Sequence, residues 1–425
     1  MNTLNRSLAP KFNQVEHIHF LPVGKKTLDN GILLDSIHGG SQEILKIDFV
    51  FRAGNWYNPK SLIASSTSKL IKEGTKSYSA FEIAEGIDQY GAFLDIENGF
   101  DTSTVTLYTL TRYLEDVLPY FKEVLLYPAF HEHEFEIFRT NALEKFKINQ
   151  KKVSFVARNA FSAELFGNNP YGLVASETAY RELQLEDLKS FHKQHYQLGN
   201  CKILVSGNVN ETTLNLINIH FGKEATGNAP AQPDHQNPDN SPRQVHLEKE
   251  GALQSAIRIG KIIPNKLHPD YLGLKVLNTI LGGYFGSRLM QNIREDKGYT
   301  YGISSGVISM QHAGYFFIGT EVGSEVTQPA LTEIYREVDK ICQEPVSQDE
   351  IDLVKNYMLG EFLGSCDGPF KMASLFESVD AYGLNFEFYN DYINTIKKIS
   401  PNTIMELGQK YLNKESFLEV VVGKP

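Results

Sequence analysis

The chain has 425 residues, 41 Lys and Arg against 51 Asp and Glu, a formal net charge of −10 and 41% apolar residues. That apolar content excludes intrinsic disorder, and the length exceeds the ~250–300 residues that one hydrophobic core accommodates, so two domains are expected. The acidic balance, without any run of Lys or Arg, excludes nucleic acid or an anionic membrane as the main partner.

The segment Met1 to Phe12 lacks the basic-then-apolar order of a secretory leader, and no apolar run is long enough to span a bilayer. A cytoplasmic protein is therefore expected. Cys201, Cys342 and Cys366 are far apart and form no C-x-x-C pair, which excludes a disulfide scaffold.

In chain order, His17 and His19 alternate on an apparent strand but bring no third ligand. ILKIDFVFRAG then sets Ile47, Phe49 and Phe51 on one side and Lys46 and Asp48 on the other, the period-two pattern of a half-buried strand. Ser79 followed by Glu82 reads as a capping box, with Ile83, Ile87 and Tyr90 at helical spacing behind it. A second strand, Thr102 to Leu110, precedes a helix with the stripe Leu114, Val117, Leu118, Phe121 and Leu125. The run HEHE from His131 to Glu134 opens a helix, where acidic residues suit the macrodipole. His192 and His195 share a helix face without a carboxylate to complete a metal site, so packing or a surface position explains them better.

Between Gly222 and Arg243 the chain is rich in Pro, Asn, Asp and Ala, the composition of a solvated connection. The expected division is residues 1–224, a linker at 225–244 and a second domain at 245–425. Landmarks repeat across it: Gly91 answers Gly298, Pro128 answers Pro345, Tyr196 answers Tyr411 and Gly207 answers Gly423. Ser347 and Glu350 form a further expected capping box. The economical fold is α+β: two homologous domains, each with a mixed or antiparallel sheet covered by helices on one face.

No G-x-S-x-G, Walker or dinucleotide fingerprint is present. The stretch SRLMQNIREDKGYTYGISSG from Ser287 to Gly306, preceded by LGGYFG, is specific in another direction. It resembles the second-domain signature of the pitrilysin/insulinase zinc metallopeptidases, in which a helix ends in Arg with Tyr on the following strand. FRAGNWYNP, EGTKSYSAFEIAEGIDQYGAFLD, LLYPAF and HYQLGNCKILVSGNV fall in that family's order, so the resemblance spans roughly residues 20 to 424.

The resemblance implies an inverted zinc motif, H-x-x-E-H, on the helix before Gly74. Counting back from Gly74 places Ser65, Ser66, Thr67, Ser68 and Lys69 there, and the third ligand falls on Lys145, with Glu144 next to it. Hydroxyls are poor zinc ligands and an ammonium repels the cation, so this chain is expected to bind no metal itself. The resemblance implies the opposite for Arg294 and Tyr301, which match the pair that binds peptide and stabilises a polarised carbonyl from the domain facing the zinc. Their counterparts in the first copy are Ile87 and Leu94, so the duplicated scaffold does not require them.

Keeping the Arg/Tyr half of a site and losing the zinc half is the division of labour of the family's heterodimers. The expectation is a noncatalytic subunit that contributes Arg294 and Tyr301 in trans to a homologous, zinc-bearing partner that hydrolyses peptides, with the zinc held by that partner. The alternative is a catalytically inert scaffold of the same fold. A self-sufficient peptidase is disfavoured by Lys69 and Lys145, although Lys69 could meet a substrate carboxylate.

Overall fold

The computed structural model describes residues 18–233, 235, 238 and 241–424. His17, the segment Met1 to Phe12 and part of the expected linker lie outside the described residues. In the first half the strands are β1 (Val23–Thr27), β2 (Leu33–His38), β3 (Ile44–Phe51), β4 (Phe93–Asn98), β5 (Ser103–Leu110) and β6 (Cys201–Gly207). They form one sheet in the order β1-β2-β6-β3-β5-β4. Its helices are α1 (Ile63–Leu70), α2 (Ala80–Asp88), α3 (Leu114–Leu126), α4 (Glu132–Asn149), α5 (Val153–Phe166), α6 (Glu177–Glu182), α7 (Leu185–His195) and α8 (Glu211–Phe221).

The second half supplies β7 (Arg243–Glu248), β8 (Gln254–Ile263), β9 (Ile303–Ser309), β10 (Gly314–Gly323) and β11 (Leu418–Gly423), ordered β7-β11-β8-β10-β9. Its helices are α9 (Tyr271–Asn278), α10 (Thr327–Gln343), α11 (Gln348–Ser365), α12 (Gly368–Asp380), α13 (Glu387–Lys398) and α14 (Pro401–Tyr411). Matching β2 with β7, β6 with β11, β3 with β8, β5 with β10 and β4 with β9 turns one strand order into the other. Each sheet has a single parallel pair at the same place, β2 with β6 and β11 with β7. The expected pair of homologous α+β units with mixed sheets is therefore the observed fold, with β1 as an addition to the first.

The helix-capping signals act as the sequence suggests, with one exception. The Ser79 side chain accepts from Glu82 N while the Glu82 carboxylate accepts from Ser79 N, closing the capping box that starts α2. At α11 only one arm forms: Ser347 caps Glu350 N, but the Glu350 carboxylate is held by Arg288 through contacts of 2.8 and 2.9 Å. A bidentate guanidinium is a stronger partner than a backbone amide, so it takes that carboxylate. The stripe of α3 is fully buried against the first sheet's core.

Each sheet's second face is covered by a helix of the other half. α5 packs on β8 and β11, and α12 packs on β2 and β6. Val153, Ala157 and Phe161 of α5 share one core with Ala256, Leu418, Val420 and Val422. Ala373 and Phe376 of α12 share another with Ile37 and Leu204. Gly260 permits the first contact, since a Cβ there would lie 2.8 Å from the Phe161 ring. Burying one such phenylalanine contributes roughly 1.5–3 kcal/mol.

This exchange corrects the reading of β3 as half-buried. Lys46 and Asp48 sit on the face under α12, 7% and 0% exposed, and form an ion pair of 2.7 Å. Thr106 donates to Asp48 at 2.6 Å. Burial, with the Asp48 carboxylate beside it, pushes Glu377 of α12 up to about 8. Lys202 is shared between Asp35 of β2 at 2.8 Å and Asp380 of α12 at 2.5 Å. Alternation along one strand carries no information about a helix arriving from the other half of the chain.

Candidate functional site

α1 follows β3 and presents a polar face. Three of its four hydroxyls bond to carbonyls of the preceding turn: Thr67 donates to Ile63 O at 2.8 Å, Ser68 to Ser65 O at 2.9 Å and Ser65 to Leu62 O at 3.1 Å. Such bonding to the preceding turn is the usual recourse of Ser and Thr inside a helix. Ser65, Ser66 and Lys69 line a cavity of about 740 Å³, and Lys145 of α4 lines it from across the opening. Ser68 is fully buried and is not among the lining residues. Glu144 is also off the cavity, with its carboxylate 2.7 Å from Lys147. Of the two adjacent candidates for the third position, Lys145 lines this cavity and Glu144 does not.

The rest of the lining is mixed. Lys72, Glu73 and Glu134 contribute charge, while Ile137, Phe138, Phe146 and Phe155 contribute apolar surface. Burial raises the Glu73 carboxyl above its ordinary value, and the neighbouring Glu134 adds to the effect. Both helices are entered through a strained residue. Leu62 before α1 has φ 75° and Phe130 before α4 has φ 50°, the two positive-φ non-glycine residues among those described. A left-handed conformation costs a side-chain-bearing residue roughly 1–3 kcal/mol, and such strain concentrates at functional sites. Nothing in the sequence pattern signals it.

Two ammonium groups and a serine hydroxyl are a donor set that does not fit Zn²⁺. Among the described residues no three His, Cys, Asp or Glu side chains gather as a metal centre requires. The histidines of α7 are packing residues. His192 donates Nε2–H to Leu125 O at 3.0 Å, and burial holds its ring down to about 4, so it is neutral near pH 7. His195 donates to Arg52 O at 3.2 Å and is held low by burial as well. His131 is the N-cap residue of α4, as the helix-start reading of HEHE requires.

Arg294 and Tyr301 belong to the second half. Arg294 lies in a π-helical turn, Met290–Asp296, its guanidinium 4.5 Å from the Phe285 ring centroid and 2.6 Å from the Glu295 carboxylate. Phe285 comes from the Gly-rich stretch before that turn, and the sequence pattern does not single it out. Tyr301 is 96% exposed and sits in the bend before β9, not on the strand as expected. The strand is delayed because the Thr300 hydroxyl caps the bend, donating to Glu321 O at 2.7 Å and accepting from Gly302 N at 3.1 Å. Ile87, the first-half counterpart of Arg294, is a buried core residue. Tyr301 borders a second cavity, about 420 Å³, between α5 and the second sheet.

Comparisons with known proteins agree with this architecture. Residues 41–179 match the family model described as insulinase (peptidase family M16), and residues 182–358 match the one described as peptidase M16 inactive domain. A Helicobacter pylori protein named non-peptidase homolog YmxG is 25% identical over 368 residues, covering 83% of each chain. The zinc protease PqqE of the same organism is 23% identical over 415 residues, covering 94% of this chain and 92% of its own. Among solved structures, a peptidase M16 inactive domain from Pseudomonas fluorescens superposes with a TM-score of 0.86 at 22% identity, covering 95% of this chain and 99% of its own. A Helicobacter pylori protease gives a TM-score of 0.88 at 20% identity over 96% of this chain and 100% of its own.

Proposed function

The chain belongs to the insulinase-type M16 peptidase family, and from that premise we propose that it is the noncatalytic subunit of a heterodimeric zinc peptidase. Its partner is a homologous, zinc-bearing chain that hydrolyses the peptide, and this chain binds that peptide through Arg294 and Tyr301.

The observation that carries the reading is an asymmetry between the two candidate places. Where a zinc-binding helix would supply two histidines, Ser65 and Lys69 face the cavity with Lys145 opposite. Arg294 and Tyr301, in contrast, are held at the surface, and Tyr301 is 96% exposed with no hydrogen bond to its hydroxyl among the described residues. A planar guanidinium and a phenol are both donors to a carbonyl oxygen that gains negative charge. β9 lies at the end of the second sheet and, among the described residues, has β10 as its one strand partner; an extended peptide added there as a strand would exchange with the Asn278 amide on Ser305 O and with Met290 Sδ on Ile303 N. No helix among the described residues is long and apolar enough to cross a membrane.

The test is reconstitution. The chain is co-expressed with an encoded zinc-bearing homologue, and cleavage of an unstructured peptide is followed with each chain alone and with both. Activity confined to the mixture and abolished by a chelator is the expected result. Failure of any homologue to bind, or cleavage indifferent to this chain, replaces the proposal with the inert-scaffold reading.

A further inference from the structure

The cavity beside Tyr301 is built where the two halves cross. α5 of the first half contributes Ser154 and Arg158, β8 contributes Arg258, and the bend before β9 contributes Tyr301. Arg258 reaches over Gly319 of β10, where a Cβ would lie 3.1 Å from the guanidinium carbon, so a glycine there leaves the space the side chain occupies. Its guanidinium stacks on Phe317 at 4.7 Å. Among the described residues, neither Arg158 nor Arg258 has a carboxylate within ion-pairing distance, although Glu321 also lines the cavity. Burial, and then the charge of Arg158, holds Arg258 below the ordinary guanidinium range.

Two like charges are brought to one cavity by different halves of the chain, with Glu321 in the lining but out of ion-pairing reach, an arrangement that a bound anion relieves further. Guanidinium groups are planar forks that match a carboxylate through paired hydrogen bonds, and a flanking phenol adds a further donor. We propose that Arg158 and Arg258, with Tyr301 at the rim, form a binding site for a carboxylate carried by the peptide that this chain grips. The site deepens the peptide-binding reading and rests on it. A carboxylate is the shared chemistry; an acidic side chain and a peptide C-terminus are its two sources. Selectivity then arises from the junction of the halves rather than from the cavity at α1.

Three labelled unstructured peptides test this with the full chain by fluorescence anisotropy. One carries a single Glu and an amidated C-terminus, the second replaces that Glu by Gln, and the third is the Gln peptide with a free C-terminus. The expected result is at least tenfold tighter binding of the Glu peptide or the free-carboxylate peptide than of the neutral one, with the preference reduced to less than twofold by Arg158→Gln and by Arg258→Gln. Which charged peptide binds tighter identifies the source. Equal binding of all three, or a preference that survives both substitutions, overturns the site. If all three bind equally and Arg294→Ala weakens them alike, the peptide-gripping reading stands while this inference falls.

A second measurement separates the two when no peptide binds. Phenylglyoxal modification of Arg258 in the unsubstituted chain is followed by mass spectrometry with and without glutarate. Protection by glutarate shows that the two arginines bind a carboxylate even where peptide gripping has failed, and no protection overturns the site. This arm requires no variant, so a folding defect in Arg258→Gln does not decide the outcome.

Discussion

α1 and α9 follow equivalent strands in the two halves, and their faces differ in kind. α9 buries Tyr271, Gly273, Leu274, Val276, Leu277 and Asn278 and continues into the π-helical turn Thr279–Gly283, so its buried face is apolar except at its last residue. α1 buries Ser66, Thr67 and Ser68 beside Ile63, Ala64 and Leu70 and opens onto a cavity of about 740 Å³. The same scaffold position is satisfied by apolar packing in one copy, so the polar face of the other is not a requirement of folding. The contrast reverses further on: Ile87 is buried, whereas Arg294 and Tyr301 reach the surface. Each half therefore departs from plain packing at a different place, and those departures mark the positions that folding leaves open to function.

The sharpest test of that contrast acts on the second half. If the proposed heterodimer forms and Arg294 acts in it as a transition-state donor, Arg294→Ala is expected to lower turnover of the reconstituted pair by about 100-fold or more while assembly by gel filtration is unchanged. Equal losses in turnover and assembly would make Arg294 a structural residue. The next effect concerns the helices exchanged between halves. Phe376→Ala removes a large side chain of α12 from its core with Ile37 and Leu204, and denaturant unfolding is expected to register a loss of about 3–5 kcal/mol. A loss below about 1 kcal/mol would mean that α12 is a loosely attached cover.

A smaller effect comes from Glu377, pushed up to about 8 by burial and by Asp48. Lys46, Asp48, Asp380 and Tyr108 are the charged and titratable groups around it. Its folded value lies above the ordinary carboxyl value of 4.5, so the folded chain binds the extra proton. Stability from this group is complete below 4.5 and is lost as pH rises through about 8. The slope approaches ~1.4 kcal/mol per pH unit at most. Glu377→Gln is expected to flatten that part of the stability profile. An unchanged slope in the variant would assign the pH dependence to another group.

Much of this architecture is legible in the sequence because it is local. Capping residues, strand alternation, the helical stripe of α3 and the repeated landmarks act over a few residues, and they suffice for two copies of one α+β unit. The expected place of a zinc motif, Ser65 to Lys69, is read in the same way, since counting from Gly74 needs no tertiary information. What is not legible depends on chain segments that meet from afar. Lys46 and Asp48 read as solvent-facing because α12 arrives from more than three hundred residues later in the chain. Arg158 and Arg258 are unremarkable apart, and only the crossing of α5 over β8 puts them in one cavity. The strained φ of Leu62 and Phe130 has no composition signal at all, because neither is a glycine or asparagine.

The smallest effect compares the two capping sites. Ser79 and Glu82 satisfy each other's backbone amides, and the Ser79 hydroxyl also donates to the Glu82 carboxylate at 2.8 Å, so Ser79→Ala loses both the acceptor of Glu82 N and that donor. Ser347→Ala loses only the acceptor of Glu350 N, because there the carboxylate of Glu350 is held by Arg288. Both losses are expected near ~1 kcal/mol, with the first the larger by a few tenths. Thermal unfolding of the two single variants measures the difference. Equal losses would show that each helix start depends on its one amide acceptor alone, and a larger loss at Ser347 would overturn the comparison.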